Sequence, residues 1–162
     1  MKSLTLKAEN SLLEFLQENL KDYLVNNKNL TIKKGYIKEE TLRESISSES
    51  KTNEYPLLLL RRGKFNQTLN DGIAEKKQEF ILFLAIKEGI KEGYEIIQEF
   101  GEEVLDLLNI NPFTLAGFVL EQGIFSGGIN NEHSGGDNWL YEIRLTLIIP
   151  VLETRYKGGE YN

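Results

Sequence analysis

The run that most constrains this chain lies near its C-terminus, where Trp139, Tyr141, Ile143, Leu145, Leu147 and Ile149 alternate with Glu142, Arg144 and Thr146. Side chains of a β-strand point to opposite faces with a period of two, so this run predicts a strand with one buried and one mixed face. Two more apolar runs predict partners for it. Leu57-Leu58-Leu59-Leu60, bounded by Pro56 and Gly63, has no alternation and suits a strand buried on both faces. Lys77 to Lys87 reads as a second strongly apolar strand. Pro56, Pro112 and Pro150 each sit beside an apolar run, where a missing amide hydrogen and an extended predecessor mark element boundaries.

Helical spacing appears twice. Between about Lys7 and Val25, Leu12, Leu13, Leu16, Leu20, Tyr23 and Leu24 recur every three or four residues, with Glu9, Glu14, Gln17, Glu18 and Lys21 off that stripe. Ser11 and Glu14 match a capping box, with Ser3 an earlier start, and Asn26, Asn27 and Asn29 end the helix. The second helix runs from Gly89 to Leu108, with Ile90, Tyr94, Ile97, Phe100, Val104 and Leu108 as its apolar stripe. Leu30 to Ile37 reads as a strand with a bulge at Gly35, and Gly117 to Phe125 as a short strand. Lys38–Glu54 reads as a loop or one exposed helical turn, Gly63–Ala74 as a long polar connection, and Ser126–Asn138, with its glycines, as a flexible loop.

This order predicts an α+β fold: a mostly antiparallel sheet of about four to five strands with two main helices packed on it. The expected organisation is one domain over 1–162, with an amphipathic helix at 7–25, a sheet over 30–155 carrying a helix at 89–108, and a flexible tail at 156–162.

Composition removes several kinds of chemistry. The 162 residues include no cysteine and one histidine, which argues against thiolate metal sites, a catalytic thiol, a disulfide scaffold and His-rich metal centres. The 25 acidic and 19 basic residues give a net charge of −6, a poor balance for a polyanion binder. Apolar runs such as Phe80–Ile86 fall well short of the roughly 18 residues a membrane span needs. The start, Met1-Lys2-Ser3-Leu4, does not read as a signal peptide, so the expectation is a soluble intracellular protein.

The local motifs carry little catalytic signal. The stretch Gly127 to Gly136 has no lysine and leads into a strand, whereas a phosphate cradle leads into a helix N-terminus. His133 has Glu132 and Ser134 beside it in that loop, which does not provide the rigid geometry of a triad. Glu102 and Glu103, adjacent on a helix, point about 100° apart and do not converge on one cleft. Glu39-Glu40 is a second acid pair with no more claim to acid–base work. The doublets Lys33-Lys34, Arg61-Arg62 and Lys76-Lys77 lack the interleaved aromatic residues of single-strand binders and suit solubility or subunit salt bridges. Phe65 and Trp139 are candidate interface anchors, with Trp139 equally suited to the core.

One resemblance emerges from the order of elements. It is carried by Tyr55–Arg62, Gln78–Ile86, the helix from Gly93 through Leu108, Phe118-Val119-Leu120-Glu121, and Trp139–Pro150, preceded by the amphipathic helix. Over roughly residues 55–155 the chain resembles the small tail terminator (tail completion) proteins of long-tailed bacteriophages and phage-derived tail-like particles. It rests on order and apolar pattern, with no catalytic signature.

That resemblance implies a structural role without enzymatic activity or cofactor. Tail terminators form a ring, usually of six subunits, on the head-proximal end of the tail tube. They end polymerisation and present the docking surface for the neck. The implied partners are further copies of the chain, the tail tube protein, the sheath protein in a contractile tail, and neck or head-completion proteins. Neither a membrane nor a specific nucleic acid is among them. The implied location is the virion or tail-like particle, and the host cytoplasm during assembly. Arg61, Arg62, Phe65, Asp71, His133 and Asp137 are the candidate subunit or tail interface residues. Two other functions fit the same pattern: another neck or head-to-tail joining protein, and a small ligand-binding α+β regulatory domain. An enzyme fits least, for want of a convergent polar cluster.

Overall fold

The computed structural model describes residues 3–35, 55–70, 72–109, 114–121, 126–130, 134 and 137–150. Helix α1 (Leu4–Leu20) opens the chain, followed by a small hairpin of β1 (Leu24–Val25) and β2 (Lys28–Asn29), then β3 (Thr31–Lys34). Strands β4 (Leu57–Asn70) and β5 (Ile73–Lys87) precede helix α2 (Ile90–Leu108). The chain ends in β6 (Thr114–Leu115), β7 (Phe118–Leu120), β8 (Ser126–Ile129) and β9 (Asn138–Ile149). It is an α+β fold, as the alternating and helical runs predict.

The main sheet has seven strands in the order β3-β4-β5-β9-β7-β6, with β8 also on β9. Only β3 and β4 are parallel; the other pairings are antiparallel. The sheet therefore exceeds the four to five strands expected, because two short segments not read as strands in the sequence, β6 and β8, join it. Strand β9 is central. It pairs with β5 from Asn138 to Ile149 and, on its other side, with β7 and β8.

Both helices cover one face. Leu58 and Leu60 of β4, the even-numbered Phe80–Ile86 positions of β5 and the odd-numbered Tyr141–Ile149 positions of β9 pack there. They meet Ala8, Leu12, Leu16 and Leu20 of α1 and Ile97, Phe100, Val104 and Leu108 of α2. The opposite face has a smaller buried cluster of Leu59, Ile81, Phe83, Ala85 and Leu140. Strand β9 thus has the buried face and the mixed face its alternation predicts.

Several boundaries differ from the sequence reading. Helix α1 starts at Leu4 and ends at Leu20, not at Lys7 and Val25: the Ser3 hydroxyl accepts from the Leu6 amide, whereas Ser11 and Glu14 lie inside the helix. Beyond it, Asn26 and Asn27 both adopt positive φ (51° and 62°) and form the two-residue turn between β1 and β2. Tyr23 leaves the helical stripe to lie against Phe100, ring centres 6.2 Å apart. Burial, with Glu103 and Glu99 adding to it, pushes the Tyr23 phenol up to about 12. Ala116 and Gly117 are likewise a positive-φ turn, so the predicted Gly117–Phe125 strand is confined to Phe118–Leu120 in the described residues.

The predicted loop Ser126–Asn138 begins as strand. Ser126–Ile129 pairs with β9, and Gly127 lies close beneath Tyr141, Ile143 and Leu105. Gly127 marks a close approach here, whereas Gly128 has open space beside it. The 38–54 segment and the 156–162 tail lie outside the described residues.

Candidate assembly surface

The other correction concerns Gly63–Ala74, read as a long connection. It is the distal part of one long hairpin, with Asn70 opposite Ile73 and Gly72 at φ 78°. An Asp-Gly pair between extended segments supplies the backbone that tight hairpins require. Strand β9 accompanies β5 only as far as Lys76, opposite Ile149. Past that point β4 and β5 continue as a two-stranded arm beyond β9. Polar residues dominate the arm, and among the described residues no helix covers either face of it. Yet Phe65, Leu69 and Ile73 remain 47%, 75% and 71% exposed.

A bulge marks the root of the arm. Arg62 pairs with Phe80 and Phe65 with Gln78, so β4 carries one more residue than β5 across that interval. The extra residue frees two carbonyls, and the buried Gln78 amide donates to both, Gly63 O at 3.2 Å and Lys64 O at 3.3 Å. The Lys64 amide donates to Glu79 Oε1 at 3.4 Å. A Cβ on Gly63 would meet that same carboxylate, which would have to move aside.

Beside the root lies a cleft of about 580 Å³ lined by Leu6, Glu9, Lys34, Gly35, Arg62, Gly63, Phe65 and Gln78. The Glu9 side chain is only 8% exposed and faces Arg62 Nε at 3.3 Å and Lys34 Nζ at 3.8 Å. Lys34 Nζ also donates to Asn10 Oδ1 at 2.5 Å. A carboxylate so far from water needs such partners, and these two fasten α1 to β3 and β4. The arm's root is therefore fixed to the body by ion pairs between the buried Glu9 carboxylate and two partly exposed cations, and by the Gln78 amide.

More ion pairs cross the face opposite the helices. Arg144 contacts Glu142 and, at 3.5 Å, Glu79; Asn130 donates to Glu142 at 2.9 Å. Lys77 contacts Glu121 and, at 3.4 Å, Glu75, and the hydrogen bond to Glu121 holds its ammonium above the usual lysine range. The outer face of α2 presents Glu92, Glu95, Glu99, Glu102, Glu103 and Asp106 to solvent. Glu102 and Glu103 lie on that solvated face, with Glu102 accepting from Gln98 at 2.7 Å.

The residues singled out from sequence do not form one cluster. Arg61, Arg62 and Phe65 lie together on β4. The Arg61 guanidinium covers the Phe83 ring at 5.4 Å on the face opposite the helices, while Arg62 turns to Glu9 on the helical face. Asp137 is exposed at the opposite end of the sheet from the arm tip, its carbonyl accepting from the Glu88 amide at 2.9 Å. Asp71 and His133 lie outside the described residues. Trp139 packs at the edge of the core, its ring edge-on to Tyr94. Sequence reasoning missed Leu69, Ile73, Leu6, Glu9 and Gln78; the Asp71-Gly72 pair was the signal that marks the arm.

No helix among the described residues is long and apolar enough to cross a membrane. No protein-family model matches this chain, and no curated protein matches it.

Proposed function

We propose that this chain is a structural subunit of a ring that caps the head-proximal end of a phage tail or tail-like tube. There it ends polymerisation and presents the docking surface for the neck. The observation that carries this reading is the arm. A two-stranded ribbon bearing exposed Leu69 and Ile73 extends past a well-packed body, and its root is held by Glu9, Arg62 and Gln78. Exposed apolar side chains on a rigid projection favour burial against a partner, and assembly supplies one. The α+β body, with both helices on one face of a sheet, agrees with the fold the resemblance implies. Ring closure needs heterologous surfaces, and the arm and the far edge of the sheet at β6 and β8 lie on different sides of β9.

The test is co-expression with a candidate tail tube protein from the same genome, followed by electron microscopy of tube ends. Tubes of uniform length with a ring at one end are expected, and Leu69→Asp with Ile73→Asp should abolish the ring while the chain stays folded. Tubes unchanged in length, with no copy of the chain at their ends, would sink the reading.

A further inference from the structure

The outer edge of β4 has the composition and geometry of a strand awaiting its own copy. Strand β3 lies along β4 only from Leu57 to Leu60. Among the described residues no strand runs beside it from Arg62 to Asn70. Asn70 and Ile73 close the two-residue turn as a hydrogen-bonded pair, and antiparallel ladders alternate. The backbone N–H and C=O groups of Phe65, Gln67 and Leu69 therefore face outward, away from β5.

An edge that no described strand covers is a template for another strand, and proteins usually protect such an edge with proline or charge. The segment Lys64-Phe65-Asn66-Gln67-Thr68-Leu69-Asn70 contains no proline and only one charge, at its root. We propose that this edge pairs antiparallel with the same edge of a second copy, across a two-fold axis at Gln67, joining two sheets into one.

The sequence is self-complementary in that register. Phe65 of each copy lies opposite Leu69 of the other, Asn66 opposite Thr68, Lys64 opposite Asn70, and Gln67 opposite itself. Phe65, Gln67 and Leu69 all present outward backbone groups, so the register matches hydrogen-bonded positions with hydrogen-bonded positions. No like charges are opposed, which removes the usual penalty of a two-fold contact. Both Phe65–Leu69 pairs fall on the helical face of the sheet, where Phe65 and Leu69 are exposed and Leu6 borders Phe65 across the cleft. The contact is isologous, as a closed dimer requires.

This pairing is a property of the isolated chain and does not rest on the ring reading. Sedimentation of the purified full chain at micromolar concentration should give twice the monomer mass. Gln67→Lys sets two ammonium groups face to face on the axis and should weaken the dimer by about tenfold or more while leaving the circular dichroism spectrum unchanged. Because the chain has no cysteine, Gln67→Cys offers a single thiol. A short bis-maleimide should cross-link it in high yield, whereas Glu99→Cys on the outer face of α2 should not react pairwise. A monomer at these concentrations would overturn the pairing and leave the edge to a strand of another protein. So would a dimer or larger ring that persists in Gln67→Lys without cross-linking through residue 67. Absence of a ring on tail tubes would count against the capping role alone.

Discussion

Gly93 and Gly101 set how closely α2 approaches the sheet. Both are buried, eight residues apart on one face of the helix, with Ile97 midway. A Cβ on Gly93 would enter the Trp139 indole, and a Cβ on Gly101 would enter the Tyr141 ring. An alanine at position 101 would gain about 1 kcal/mol of helix propensity. Overpacking against a ring fixed on the central strand costs about 1–3 kcal/mol, so the clash wins. Gly101→Ala should therefore lower the unfolding free energy by about 1 kcal/mol net, and by no more than about 2 kcal/mol, in urea titration. Gly128→Ala, where nothing lies within 4 Å of the added carbon, should stay within about 0.5 kcal/mol of the parent. Equal stability in the two variants would refute the close-approach account. These glycines look like helix weaknesses in sequence, because their reason lies on a strand some forty residues away. The alternating run that announced β9 gave no sign that two of its aromatic rings occupy the space of missing side chains.

The β4–β5 hairpin depends on its bulge in the same way. Gln78 is 3% exposed, and its amide is the donor that reaches the Gly63 and Lys64 carbonyls. Gln78→Leu keeps the volume and removes that donor, leaving two carbonyls short of a partner at a cost of about 1–3 kcal/mol. The loss should be concentrated at the root: hydrogen exchange should rise between Arg62 and Phe65 while β9 keeps its protection. Uniformly faster exchange across the sheet would mean that Gln78 supports the core as a whole and not the bulge. This hairpin also shows where the sequence is readable. Leu57–Leu60 and Lys77–Lys87 declare themselves because both strand faces are covered there, and burial demands apolar side chains. Lys64–Asn70 and Ile73–Glu75 are strand without that demand, since they project beyond the described helices, so their polarity resembles a loop. The Asp71-Gly72 pair was the residual turn signal. Glu9 was hidden for a similar reason: it sits on α1 among solvated acids, and only the fold brings Lys34 and Arg62 to it. Of the interface candidates, Arg61, Arg62 and Phe65 fall near the arm's root because they flank its bulge, while Asp137 belongs to the far end of β5 and β9.

The charge of the molecule is organised as well as negative. The net −6 is accompanied by a continuous acidic face on α2, from Glu92 to Asp106. The basic doublets do not form an opposing patch, because adjacent strand residues point to opposite faces. Arg61 is spent on Phe83 and Arg62 on Glu9, while Lys34 joins Glu9 and Lys77 joins Glu121 and Glu75. Duplex binding without sequence preference comes from lysine and arginine groups releasing phosphate counter-ions, and cations already paired to carboxylates release few. A ring through which DNA passes would work best with walls that do not hold it. The isolated chain should accordingly show no measurable duplex DNA binding by fluorescence anisotropy at physiological salt. Micromolar binding that weakens steeply with added salt would instead mean that the cations separate from their carboxylates and face a polyanion. That result would remove the electrostatic support for a subunit that lets DNA pass freely.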